Sequence, residues 1–242
     1  MVTKTLRTSR ASTAPLSFSP SSTLYSLLVK IPTREAEMLQ LRFGLGQNEK
    51  HTLEAIGQKF GITRERVRQI EGAAIKKLSS FVPGTTVVAL LDYTKDLLMR
   101  EGGLVEMHTL LRGLLDAIGS KKESDAHYIE LALVTSANIT TVHNTIKFHP
   151  YFHLHTISEE MVARVTQLII AGLKKDKKVR DFNSLADMIK KEAGVSFEPL
   201  TMMQICRISK ELKVTDNAEV GLFAWTHINP RNIHDKILYV LR

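Results

Sequence analysis

Apolar residues recur at three- and four-residue intervals over most of the chain, so the reading is dominated by helices. After Pro32 the segment TREAEMLQLRF has this period, with Thr33 placed to cap the free amides of its first turn. Gly44 and Gly46 follow, and a glycine beyond the last periodic residue supplies the left-handed backbone that stops a helix. Thr52 then precedes LEAIGQKF, in which Leu53, Ile56 and Phe60 share one face, and Gly61 closes the segment. Thr63 is placed to cap a longer helix reaching about Leu78. A short helix, a tight glycine-containing turn and a longer helix make a helix-turn-helix.

Pro83 and Gly84 break the pattern and mark a boundary. Beyond them VVALLDYTKDLLMREGG, VEMHTLLRGLLDAIG and ESDAHYIELALV read as helices, with a fourth expected near TSANITTVHNTI. KFHPYFHLHTI alternates large apolar and polar residues over strand length. The order then recurs: SEEMVARVTQLIIAGLKKD, FNSLADMIKKEAG and PLTMMQICRISKEL are helical, and VTDNAEVGLFAW ends in a candidate strand. Helices followed by a short β-ribbon predict winged-helix-like modules. The expected fold is therefore mainly α, with a flexible basic arm at 1–31, the helix-turn-helix at 32–82, winged-helix-like modules at 85–157 and 158–225, and a further segment at 226–242. In that last segment Ile233, Ile237, Leu238 and Leu241 keep helical spacing up to the final residue, which reads as a domain cut short.

The composition fits a folded chain: 43% of residues are hydrophobic and 24% charged, too many apolar positions for disorder. No run approaches the roughly 18 apolar residues that span a bilayer, so no membrane partner is expected. The single cysteine, Cys206, has no disulfide partner and lies in the apolar run MMQICRI, as a buried small hydrophobe would. The first 30 residues hold Lys4, Arg7, Arg10 and Lys30 without an acid, which suits a basic arm and, as an alternative, an organellar transit sequence. Otherwise a cytoplasmic, nucleoid-associated protein is expected. A net charge of +8 favours an anionic partner without naming it.

The helix TRERVRQIEGAAIKKL narrows the choice. At 100° per residue Val67, Ile70, Ala74 and Leu78 share one arc, while Arg64, Glu65, Arg68, Gln69, Gly72 and Lys76 lie opposite. Arginine can donate twice to guanine, glutamine can pair with adenine, and glutamate can accept from the cytosine amino group. Arg64, Glu65, Arg68 and Gln69 sit near the amino end of the helix, the part a recognition helix presents to the major groove, and are the candidate base readers. Lys50, Lys59, Arg66, Lys76 and Lys77 are candidate phosphate contacts, as are Thr52 and Thr63 through the helix amino ends.

From Pro32 to Leu78, through REAEMLQLRFGLG and HTLEAIGQKFGITRERVRQIEGAAIKKL, the chain closely resembles region four of the bacterial primary sigma factors. The resemblance implies recognition of the minus-thirty-five promoter element by Arg64, Glu65, Arg68 and Gln69. It also implies that Leu39, Leu41 and Phe43 belong to a helix that supports the fold and makes a contact with the core RNA polymerase. The basic arm is too short to hold the family's promoter-melting regions. Gly72 stands where the family has a better helix former, a change that weakens a helix by up to about 1 kcal/mol relative to alanine. FAWTHINPRNIHDKILYVLR resembles, more weakly, the opening of the HARE helix-turn-helix domain, on Trp225, Ile228, Asn229, Pro230, Asp235 and Lys236.

These readings predict a sequence-specific binder of double-stranded DNA acting in transcription. The alternative is a polymerase-binding adaptor whose charged helix never touches bases. No nucleotide loop, metalloprotease motif or nucleophile elbow is present, so neither an enzyme nor a cofactor is expected. His153 and His155, with His149 and His143 nearby, are weighed as a metal site against histidines on a polar wing face, and the latter is preferred. The run Lys174 to Arg180 either touches phosphate or ends a helix with cations suited to its dipole. Met188, Met202 and Met203 read as core filling.

Overall fold

A computed structural model describes residues 18–46, 49–226, 228 and 229. The described chain divides into two compact units, one within residues 1–96 and 109–140, the other within 97–108 and 141–242. Their elements run α1 (Pro20–Leu28), α2 (Thr33–Phe43), α3 (Leu53–Phe60), α4 (Arg64–Phe81), α5 (Val87–Arg100), β1 (Leu104–Glu106), α6 (Met107–Ile118), α7 (Asp125–Val134), β2 (Ile139–Val142) and β3 (Tyr151–Leu154), then α8 (Glu159–Asp176), β4 (Arg180–Asp181), α9 (Phe182–Ala193), α10 (Pro199–Ile208), β5 (Leu212–Val214) and β6 (Glu219–Leu222). The fold is mainly α, and the order helix, strand, helix, helix, strand, strand occurs twice after α4.

In the first unit Met38, Leu41, Ile56 and Val67 form the centre of the helix-turn-helix, with Leu53, Phe60, Ile62 and Ile70 packed around them. The predicted punctuation holds: Gly44 and Gly61 end α2 and α3 in the left-handed conformation. Thr33, however, is inside α2, and Pro32 in front of it provides no side-chain cap.

The basic arm is corrected over residues 20–28. They form α1, with Leu24, Leu27 and Leu28 at most 2% exposed, because LYSLL carries an apolar face that an arm would leave in water. Residues 1–17 of that arm lie outside the described residues. Helix α1 packs against α7 and α4, and α7 packs in addition on α2.

In the second unit Val162, Val165, Ile169 and Leu173 on α8 share one core with Leu185 and Ile189 on α9 and Met202, Ile205 and Cys206 on α10. Cys206 is the buried hydrophobe expected, and burial pushes its thiol pKa upward. Two three-stranded antiparallel sheets occur, ordered β1-β3-β2 and β4-β6-β5. The expected helix near TSANITTVHNTI is instead partly strand β2. Ile139, Thr140, Thr141 and Val142 are all β-branched, and such side chains lose freedom in a helix and fit a pleated sheet. Strands β1 and β4 are too short to leave a period in the sequence.

The histidine reading also changes. His153 is 3% exposed on β3, with Nδ1 2.8 Å from the Leu154 carbonyl oxygen, whereas His155 is exposed beyond the strand. They do not share a polar wing face, and no group of three metal-ligating side chains occurs among the described residues. No described helix is long and apolar enough to cross a membrane.

Candidate nucleic-acid interface

Helix α4 is positioned by its apolar stripe. Val67, Ala74 and Leu78 are at most 1% exposed, and α3 and α2 pack against that side. Thr63 Oγ1 accepts a hydrogen bond from the Arg66 amide at 3.2 Å, fixing the start of the helix, and Thr52 does the same for Ala55 at 3.1 Å. Between them Gly57 lets the two helices approach: a Cβ there would lie 2.7 Å from the Ile62 carbonyl oxygen. Sequence reasoning passed over Gly57, although a glycine inside a helical period is itself a sign of close backbone approach.

With the stripe buried, Arg64, Glu65, Arg68 and Gln69 all project into solvent from one side of α4. Three of them are joined. Arg68 donates from Nε and Nη2 to the two Glu65 carboxylate oxygens at 2.9 and 2.7 Å, and Gln69 Nε2 lies 3.5 Å from the same carboxylate. The Arg68 hydrogen bonds hold the Glu65 carboxyl below its ordinary pKa, and that carboxylate in turn raises the guanidinium of Arg68. Arg66 donates to Gln69 Oε1 at 3.2 Å. A fork of three side chains is thus oriented before any ligand arrives, and the second edge of the Arg68 guanidinium stays turned to solvent with donors for a base.

The candidate phosphate contacts divide into two groups. Lys50 pairs with Glu130 at 2.5 Å, Lys59 with Glu37 at 3.0 Å and Lys77 with Glu35 at 2.6 Å, so these lysines also tie the helices together. Lys76 is exposed and has no ion-pair partner among the described residues. Thr52 and Thr63 each spend an acceptor lone pair on a cap and keep a hydroxyl hydrogen to donate.

Leu39, Leu41 and Phe43 require a correction. They are 0%, 5% and 5% exposed, so their side chains support the fold and present no surface to a partner. Helix α7 packs on α2, and its His127 Nδ1 lies 2.8 Å from the Gly44 carbonyl oxygen, while Tyr128 Oη accepts from the Gly46 amide at 3.0 Å. Glu130, 6% exposed, meets Lys50 just before α3. Three contacts from a single turn of α7, at His127, Tyr128 and Glu130, therefore brace the α2–α3 connection. Nothing in the local sequence of α7 announces that role, because its partners lie some 80 residues earlier.

Against this geometry the family model for sigma-70 region 4 matches residues 27–80. Residues 27–80 carry a sigma-70 region 4 helix-turn-helix. The match begins inside α1 and ends at the close of α4, so it includes every exposed residue of the α4 fork. Among curated proteins, the RNA polymerase sigma factor RpoD of Neisseria gonorrhoeae is 50% identical over 52 residues, which is 22% of this chain and 8% of that relative. The chain thus shares only a small part of that relative's length. DNA binding through the region 4 segment follows from the match, and the family is not a catalytic one.

Proposed function

We propose that the chain is a sequence-specific duplex DNA-binding transcription protein that reads a minus-thirty-five type promoter element through α4. The carrying observation is the exposed fork of Glu65, Arg68 and Gln69, with Arg64 beside it, on a helix whose other side is buried. Arg64, Glu65, Arg68 and Gln69 read bases; Lys76 and Arg66, with Thr52, Thr63, Lys50, Lys59 and Lys77, face the phosphates. The two repeats after α4 are read as winged-helix-like modules, supported by their element order and three-stranded sheets. Soluble action on the nucleoid accords with this role.

Selection of bound sites from random duplex DNA, with and without core RNA polymerase, tests the reading. A promoter-like hexamer enriched in both conditions, and lost on Arg68→Ala, is the expected result; equal affinity for every duplex would overturn it. A second reading, an adaptor on core RNA polymerase, is favoured by the similarity to an RNA polymerase sigma factor. Under that reading enrichment needs the polymerase, and the contact is made by residues other than the buried Leu39, Leu41 and Phe43.

Of the residues that carry the resemblance of 222–242 to a HARE domain, Pro230, Asp235 and Lys236 lie outside the described residues. Within them, Trp225 and Ile228 lie against Gly221 and close the second unit.

A further inference from the structure

The tip of the β2–β3 hairpin carries the most exposed large apolar side chain in the described chain, Ile146 at 95%. It does not sit on a loose loop. The Thr145 amide donates to the Phe148 carbonyl at 3.0 Å, and the Phe148 amide donates back to Thr145 Oγ1 at 2.9 Å. Lys210 Nζ donates to Asn144 Oδ1 at 2.7 Å and to the Thr145 carbonyl at 2.5 Å, and its backbone amide donates to the Lys147 carbonyl at 2.9 Å. Phe148 is buried in the core beneath, edge-on to Tyr151 at 6.3 Å. The fold therefore grips both sides of the turn and holds Ile146 outward.

The turn itself carries no acid. No Asp or Glu occurs between Glu130 and Glu159, and the tip holds Lys147, His143 and His149, with Lys210 clasping it. Glu211 is the nearest acid along the chain on the clasping segment. The corresponding hairpin between β5 and β6 has the tip Thr215, Asp216, Asn217, Ala218, which offers an acid and no large apolar group.

We propose that the β2–β3 tip is a second DNA contact, made in the minor groove and tolerant of sequence, with Ile146 as an apolar wedge between base steps and Lys147 and Lys210 facing the flanking phosphates. Apolar wedges of this kind partly unstack a step and kink the duplex, and the lysines of the rim supply the backbone attraction that offsets the cost. A rigid turn suits the task, since little order remains to be imposed on binding. This contact rests on the DNA-binding reading given above but not on base recognition by α4.

The test uses the full chain and a promoter-containing duplex with donor and acceptor dyes at its ends. Wild type is expected to shorten the end-to-end distance by a kink on the order of 20° or more. Ile146→Ala is expected to abolish the kink and weaken binding by roughly tenfold, and Ile146→Phe to retain both. Because Ile146 is almost fully exposed, both variants keep the wild-type melting curve. A minor-groove ligand such as netropsin displaces the tip, lowering wild-type affinity to the level of Ile146→Ala. Unchanged affinity and bend in Ile146→Ala would overturn the proposal, including the case in which Ile146 serves a protein partner. Base preference intact without any Ile146 dependence removes this contact alone. Ile146-dependent kinking without base preference removes the α4 reading alone.

Discussion

Helices α4 and α7 lie in the same unit and are treated oppositely by the fold. On α4 an apolar stripe of Val67, Ala74 and Leu78 goes inward and a charged side stays in water. On α7 Tyr128, Ile129, Glu130, Leu131, Ala132 and Leu133 are all buried in succession, and no residue of the helix is exposed. Helix α10, at the equivalent place in the second repeat, also turns polar residues inward, although its Arg207 is exposed: Thr201, Gln204 and Cys206 are buried, Thr201 Oγ1 donates to the Gly102 carbonyl at 3.1 Å, and Gln204 Nε2 donates to Glu101 at 2.9 Å. A helix enclosed as α7 is cannot enter a DNA groove in the folded chain. Of the pair α4 and α7 only α4 keeps a charged face in water, while α7 braces the α2–α3 connection.

The largest effects should come from breaking the brace. Ile129→Asp places an unpaired charge in an apolar interior, and is expected to remove more than about 4 kcal/mol and with it cooperative unfolding of the first unit. Leu39→Ala, on the α2 helix that α7 covers, is expected to cost about 2–5 kcal/mol. Urea unfolding followed by circular dichroism measures both. Losses below about 1 kcal/mol would show that α7 is dispensable and would dissolve the contrast.

What could be read from the sequence follows the same division. The helix-turn-helix is a local structure: Thr52, Gly61 and Thr63 cap or end helices within a few residues of themselves, and the α4 stripe repeats at the helical period, so its boundaries and exposed fork were legible. The brace is non-local. Tyr128, His127 and Glu130 look like ordinary members of an amphipathic helix until Gly44, Gly46 and Lys50 are brought to them. The family resemblance puts Leu39, Leu41 and Phe43 on a helix serving both fold and polymerase contact, and only the three-dimensional packing shows that their side chains are buried. Strand β2 was taken for a helix because its apolar positions were counted by period, although four consecutive β-branched residues argue for a sheet.

Arg68→Ala tests the other side of the comparison. Removing its guanidinium should cost about 1–3 kcal/mol of discrimination at one base pair. Stability should stay that of wild type, because the side chain is exposed and the Glu65 pair beside it is solvated. Fluorescence anisotropy with single-base variants of the selected site reads the first, and urea unfolding the second. A loss of stability without a loss of discrimination would turn α4 into a structural helix.

Lys50 sits between the two roles. Its ammonium pairs with the buried Glu130 yet is itself 42% exposed, so Lys50→Ala leaves a carboxylate short of its partner and should cost about 1–2 kcal/mol after discounting for solvent. If the residue also faces phosphate, the slope of log affinity against log salt falls by about one in the variant, as it does for Lys76→Ala. A stability loss with an unchanged slope would assign Lys50 wholly to the brace.

Two opposed effects separate two glycines of the region 4 segment. At Gly57 a Cβ would press on the Ile62 carbonyl oxygen at 2.7 Å, a backbone atom that cannot swing aside, so Gly57→Ala should destabilise by about 1–3 kcal/mol. At Gly72 a Cβ would meet nothing within 4 Å, and the helix gains what alanine offers over glycine, up to about 1 kcal/mol. Thermal melting should therefore move in opposite directions for the two variants. Because Gly72 is exposed on the same side as Arg68, the gain is paired with a second readout: if bound DNA closes on the bare backbone there, Gly72→Ala melts higher but binds the selected site more weakly. A variant that melts higher and binds as well as wild type places the groove nearer the amino end of α4, at Arg64 and Glu65.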